Sequence, residues 1–307
     1  MRIIEPKVEI IKEENPFKKI EMAGRTCYKS EKAITDDSAI AFYERLANRQ
    51  HTAMLEHATF VFRTDLLVYE AARACHFLNA TREYVDTKLG GNVMRFLVSG
   101  NLRAINESGI YALIECLRRE GPGNGKLAYL EAKEPFKDFL SETTHLVSLS
   151  DIENLTSAEI SAHKYTTMRF TTDRGVSHEL VRHRPFSFAQ ESTRYVCYSK
   201  DQFGGGDIKF IKPAGYEGWT MDMRQHFEGA LREAEQFYNR LIIDGATAQQ
   251  ARAVLPNAVK TEIIVTGNDK EWQHFFNLRS KGTTGAPHPD MKIVADMALK
   301  LYEESLI

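Results

Sequence analysis

The chain is 307 residues long, with 40 Lys and Arg against 42 Asp and Glu, so its formal charge is −2 with His neutral. A hydrophobic share of 43% and an aromatic share of 10% exclude a disordered, collagen-like or low-complexity chain. The near-zero charge argues against binding nucleic acid through bulk electrostatics, and no apolar run approaches the ~18–20 residues of a membrane span. An anionic ligand would have to be held by a local cluster of cations.

The cysteines Cys27, Cys75, Cys116 and Cys197 include no Cys-x-x-Cys pair and read as scattered reduced thiols, not as a disulfide frame or zinc site. Residues 1–14 alternate Val8, Ile10 and Ile11 with charges and lack the apolar stretch of a signal peptide. The expectation is a soluble, cytoplasmic protein with no metal and neither a membrane nor a nucleic-acid partner.

In chain order, residues 1–14 read as a first strand. Asp36 or Asp37 is placed to cap a helix running to about Asn48, with Ile40, Tyr43, Leu46 and Ala47 at helical spacing. Residues 55–63 alternate as a strand, 67–78 read as a helix, 94–98 as a short strand and 110–118 as a second helix. Gly121-Pro122-Gly123-Asn124-Gly125 is a breaker, and 131–141 is polar and amphipathic. Residues 165–172, rich in Thr, Tyr and Phe, read as a strand. A helix from about Gly175 should end near Arg184, because Pro185 disfavours helical geometry in the residue before it. A glycine loop at 204–206 and a strand at 208–211 follow. A long amphipathic helix over 219–243 is stopped by Gly245. Thr247 opens a short helix ending before Pro256. Asn268 with Glu271 makes a capping-box start for a helix reaching Lys281, with Gly282 after it. Helices and strands mix without a regular βαβ alternation, which favours α+β over a doubly wound sheet.

Polar chemistry concentrates between His178 and Tyr195. Those eighteen positions hold three arginines, two histidines, two carboxylates and the hydroxyls of Ser187, Ser192, Thr193 and Tyr195. On a helix, Glu179 lies one turn from both Arg182 and His183 and can orient them. Pro185 then turns the chain, so that Gln190 to Arg194 can fold back, and Arg182, Arg184 and Arg194 offer planar donor forks to a phosphate or a carbonyl-rich ring. The bland alternative is a solvated helix end whose surface ion pairs contribute little. Five cationic or potentially cationic side chains this close, however, repel one another unless an anion neutralises them. Ser192 has no obvious base beside it, so it reads as a ligand-binding hydroxyl and not as a nucleophile.

Arg182-His183-Arg184, seven residues, then Ser192 resembles the signature of the flavin-dependent thymidylate synthases. The flanks agree, from Asp173-Arg174-Gly175-Val176-Ser177-His178-Glu179 to Glu191-Ser192-Thr193-Arg194-Tyr195. Ala251-Arg252-Ala253-Val254-Leu255-Pro256 and the stretch from Asn268 through His274 to Leu278-Arg279 are similar to two further family segments, in the right order. Arg25-Thr26-Cys27-Tyr28 and His51-Thr52-Ala53-Met54-Leu55-Glu56-His57 resemble its early segments. Matching pieces cover roughly 20–63 and 165–301.

The resemblance implies an α+β fold, with a mixed or antiparallel sheet flanked by long helices, in one catalytic domain over 1–307. Residues 66–160 would be an insertion or subdomain within it. It implies a methyltransferase that makes dTMP from dUMP, with the one-carbon unit from 5,10-methylenetetrahydrofolate and reducing equivalents from NADPH through FAD. By similarity, Arg182, His183, Arg184, Gln190, Asn268, Lys270, His274 and His51 would contact FAD. Glu179, Arg182, Gln190, Glu191, Ser192, Thr193, Arg194 and Arg252 would hold dUMP. Arg279 would stabilise the ionised uracil ring and so serve catalysis. His57 reads as structural. Family members are homotetramers whose sites combine several subunits.

Some positions depart from the family pattern: Gln190 stands where a carboxylate is frequent, Cys27 for Ser, Ala53 for Ser or Thr, His274 for Asn and Lys270 for Arg. A cysteine-dependent thymidylate synthase needs a nucleophilic cysteine after a proline, whereas these follow Thr26, Ala74, Glu115 and Val196. No Gly-x-Gly-x-x-Gly or Walker motif supports a Rossmann or P-loop enzyme. The alternative from another class is a non-catalytic nucleotide- or RNA-binding protein using the same Arg-rich loop.

Overall fold

A computed structural model of the chain describes residues 1–87, 91–123, 143–152, 154–199 and 207–306. The strands are β1 (Arg2–Ile4), β2 (Lys7–Ile10), β3 (Thr59–Thr64), β4 (Asn79–Thr87), β5 (Gly91–Asn101), β6 (His145–Leu146), β7 (Tyr165–Asp173), β8 (Ser187–Gln190), β9 (Lys209–Ile211) and β10 (Lys260–Asn268). The helices are α1 (Pro16–Tyr28), α2 (Ser38–Asn48), α3 (Leu66–Arg73), α4 (Leu102–Ser108), α5 (Tyr111–Glu120), α6 (Leu149–Ile152), α7 (Ser157–His163), α8 (Arg174–Leu180), α9 (Met221–Ile243), α10 (Ala248–Ala251), α11 (Asp269–Arg279) and α12 (Pro289–Glu304). Among the described residues, no helix is long and apolar enough to cross a membrane.

Two antiparallel four-stranded sheets organise the chain, in the orders β2-β7-β10-β8 and β4-β5-β3-β6, and β1 pairs in parallel with β9. This is the mixed, largely antiparallel α+β architecture expected. In the first sheet β10 lies between β7 and β8, with Ile264 opposite both Arg169 and Ala189. Beneath that sheet, α8, α11 and α12 bury Phe170, Trp272, Phe275, Phe276 and Tyr302 in one core. A second core joins α1 and α2 to β3, β5, α4 and α5 through Phe17, Tyr43, Phe62, Val98 and Leu113. The described residues of segment 66–160 therefore share a core with residues that precede them. Ala23, Ala189 and Ile264 link α1 to the first sheet.

Several sequence-based boundaries move, each for a local reason. The opening strand divides at Pro6, which has no N–H to give a ladder, and its halves join different sheets. The strand expected over 55–63 starts only at Thr59, because Thr52–His57 form a 3₁₀ turn. The helix of 67–78 stops at Arg73 so that the chain can enter β4, and the short strand of 94–98 is the middle of an eleven-residue β5. Helix α8 ends at Leu180, four residues before Arg184, and i→i+3 bonds from Arg182 N to Glu179 O and from His183 N to Leu180 O replace it. Strand β7, helix α9 and the capping box of α11 stand close to where their patterns put them. The polar stretch of 131–141 and the glycines at 204–206 lie outside the described residues.

Candidate active site

The basic turn begins where Asp173 caps α8, its Oδ1 accepting from Val176 N at 2.8 Å. After the helix, Phe186 N donates to His183 O and the Phe186 ring drops onto Gly267. A Cβ at 267 would lie 2.2 Å from Phe186 Cδ1, so only glycine lets strand β10 pass beneath the ring. Trp272 packs against the same ring at 4.6 Å between centroids. Arg182 and Arg184, just before this anchor, are exposed, and their guanidinium groups make no hydrogen bond to any described residue.

Three of the expected residues meet at the end of α11. Arg279 donates from Nη1 to Glu179 Oε2 at 2.8 Å and from Nε to His183 Nε2 at 3.0 Å. Burial, then the charges of Arg279 and His274, push the His183 imidazole down to about 4. The ring is therefore neutral at physiological pH, with Nε2 accepting and its proton on Nδ1. Arg279 is held in one orientation by a carboxylate and a ring nitrogen, leaving Nη2 for a ligand.

A second group forms around Thr193. Arg252 Nη1 donates to Thr193 Oγ1 at 3.1 Å, and both line a cavity of 250 Å³ together with Arg174. Arg174, the first residue of α8, is a site candidate that sequence reasoning missed, although it stands in the motif's upstream flank. Gln190, at the end of β8, donates to Ser177 Oγ at 2.8 Å and Thr261 Oγ1 at 3.2 Å. Ser192 N donates to Cys27 O at 2.9 Å, and Arg194 Nε to Gln249 Oε1 at 3.2 Å. Two arginines and the Thr193 hydroxyl lining one cavity suit a phosphate.

Other expected site residues are engaged elsewhere. Glu191 is buried and its carboxylate accepts from Lys260 Nζ at 2.9 Å. Asn268 is spent as the cap of α11: Oδ1 accepts from Glu271 N at 2.9 Å and Nδ2 donates to Ala162 O at 3.2 Å. Lys270, His274 and His51 are exposed, and His274 lies 6.3 Å from the His183 ring. His57 is buried, with Nδ1 2.8 Å from Thr266 Oγ1. Arg184 lines a cavity of 510 Å³ together with Tyr165 and Glu271. Burial pushes the Glu271 carboxyl up to about 7, against the opposing pull of the Asn268 N–H and Lys270.

Comparison with known proteins fits this arrangement. The family model described as thymidylate synthase complementing protein matches residues 9–87 and 131–306. A flavin-dependent thymidylate synthase of Geobacter sulfurreducens is 44% identical over 106 residues, which cover 34% of this chain and 43% of that protein. One of Mycobacterium tuberculosis is 30% identical over 185 residues, covering 55% of this chain and 68% of its own length. The chain thus matches less than half of the first relative and about two thirds of the second. Among solved structures, a UMP/dUMP methylase of Streptomyces cacaoi bound with 5-Br dUMP aligns over 99% of this chain and 93% of its own, with 15% identity and a TM-score of 0.42. The family match takes in the basic turn, the Thr193 loop, Arg252 and the Glu179–His183–Arg279 group together, and the chain belongs to the thymidylate synthase complementing protein family.

Proposed function

We propose that the protein is a flavin-dependent thymidylate synthase acting in the cytoplasm. It converts dUMP to dTMP with 5,10-methylenetetrahydrofolate as one-carbon donor and NADPH as reductant through FAD. The observation that carries this reading is Arg279 fixed between Glu179 and a neutral His183. A preorganised guanidinium lowers the energy of negative charge developing on a uracil ring without reorienting as that charge appears.

The nucleotide phosphate is assigned to the cavity of Arg174, Arg252 and Thr193, with Ser192 and Arg194 at its loop. The exposed donors of Arg182, Arg184, His51, Lys270 and His274 suit the phosphates and ring carbonyls of FAD, whereas the spent amide of Asn268 does not. FAD, when bound, supplies the hydride that reduces the transferred carbon. Two of the thiols support chemistry without their acting as nucleophiles: burial pushes Cys27, whose carbonyl holds Ser192, up to about 11, and Cys116 up to about 12. Protonated thiols are poor nucleophiles.

As the family resemblance implies, the chain assembles as a homotetramer with sites shared between subunits. The whole chain reads as one catalytic domain carrying 66–160 as a subdomain. In the test, protein reconstituted with FAD is supplied with NADPH, methylenetetrahydrofolate and dUMP, and dTMP is followed by chromatography. The expected result is dTMP formation that requires all three. A flavin-loaded protein that forms no dTMP overturns the assignment, and a colourless protein retaining oligonucleotides in a salt-dependent way favours the binding-module alternative.

A further inference from the structure

Glu191 precedes the nucleotide loop and points away from it, into a compact set of four charges. Glu191 and Lys260 are 2% and 9% exposed. Lys260 Nζ lies 2.9 Å from Glu191 Oε2 and 2.5 Å from Glu262 Oε1. Lys29 Nζ lies 2.7 Å from Glu262 Oε1 and 3.8 Å from Glu191 Oε2. The backbone completes the clasp: Glu191 N donates to Glu262 O at 2.8 Å, and Glu262 N donates to Glu191 Oε2 at 3.2 Å. At the rim Glu31 Oε1 adds a further charge 3.5 Å from Lys29 Nζ, so the two lysines face three carboxylates and need no other anion.

A buried carboxylate fixed at this many points dictates the course of the residues after it. One position later Ser192 N is tied to Cys27 O, and the next residue, Thr193, accepts from Arg252. We infer that Lys260, acting through Glu191, is a positioning residue that holds Ser192–Thr193–Arg194 in the form that receives the nucleotide phosphate. The inference rests on the proposed reading of the Arg174–Arg252–Thr193 cavity. Removing Lys260 leaves Glu191 buried beside Glu262 with less positive charge, and the carboxylate is relieved by swinging towards solvent, which drags the loop with it. Burial would lower the Lys260 ammonium, yet the Glu191 and Glu262 carboxylates outweigh it and raise its pKa. The Lys260 ammonium is therefore charged through the physiological range.

The test compares Lys260→Met and Lys260→Arg in FAD-loaded protein, measuring dUMP and deoxyuridine affinity, FAD content and kcat. Lys260→Met should raise the KM for dUMP by about tenfold or more, with kcat at saturating dUMP within about twofold and flavin content unchanged. Deoxyuridine, which lacks the phosphate, should bind the variant as it binds the wild type. Lys260→Arg should recover most of the dUMP affinity. Should the methionine variant not fold, Lys260→Gln supplies the same comparison with a smaller rise in KM. Equal losses for dUMP and deoxyuridine, or a drop in melting temperature with KM unchanged, would overturn the inference and leave Lys260 a structural residue. Wild-type protein that does not bind dUMP would overturn both the inference and the site reading beneath it.

Discussion

Two places, one beside each four-stranded sheet, treat ionisable side chains in opposite ways. Beside β4-β5-β3-β6, the fully buried Glu159 receives Arg95 Nε at 2.6 Å, and His163 has Nε2 2.8 Å from Thr81 Oγ1 and Nδ1 2.7 Å from Ser99 Oγ. Every one of those groups has its partner within the sheet and its helix. At the end of β2-β7-β10-β8, Arg182, Arg184 and Lys270 stand exposed without partners among the described residues, while Arg279 keeps one nitrogen free beside a neutral histidine. Saturated charges mark architecture, and clustered charges with spare donors mark a place for a ligand.

The sharpest way to break this contrast is to strip one partner from the saturated side. Arg95→Met leaves Glu159 buried alone and should cost about 3–5 kcal/mol of stability, read by denaturant unfolding. The folded remainder should turn over dUMP normally; an altered KM would move this sheet into the site. On the other side, Arg279→Ala should lower kcat roughly 10²–10³-fold with little loss of stability and with FAD retained, read by steady-state rates and flavin absorbance. Release of flavin instead would make Arg279 a cofactor anchor.

A further effect is graded with pH and shared by both regions. Burial pushes His57, His163 and His183 from 6.5 down to about 4, with the charges of Arg279 and His274 adding to the shift at His183. The unfolded chain takes up protons below about 6.5 and the native one only near 4, so stability is lost as pH falls across that window. Each ring contributes a slope of about 1.4 kcal/mol per pH unit there. Melting temperatures between pH 7.5 and 4.5 should fall accordingly, and a flat profile would mean that these rings are charged in the native protein.

Legibility followed the range of the forces involved. Helix α11 was readable because its capping box spans only Asn268 to Glu271, and α9 because its apolar stripe repeats along one segment. Strand β10 was not, since its residues are buried on both faces and lack the alternation that marks a half-exposed strand. The motif located the basic turn and Arg279. It could not tell that Glu191 faces Lys260, a partner 69 residues away, or that the Asn268 amide is consumed by its own helix. Arg174 sat in plain view, but only the fold brings it to the same cavity as Arg252.

Gly267 beneath Phe186 governs how quickly the site can capture an anion. The ring is wedged among Gly267, Trp272 and Phe275, so the turn carrying Arg182 and Arg184 has little slack to splay under their mutual repulsion. That repulsion is met once, when the chain folds, and not at each encounter. An anionic ligand arriving there would meet a standing positive field, and its association would slow as salt screens that field.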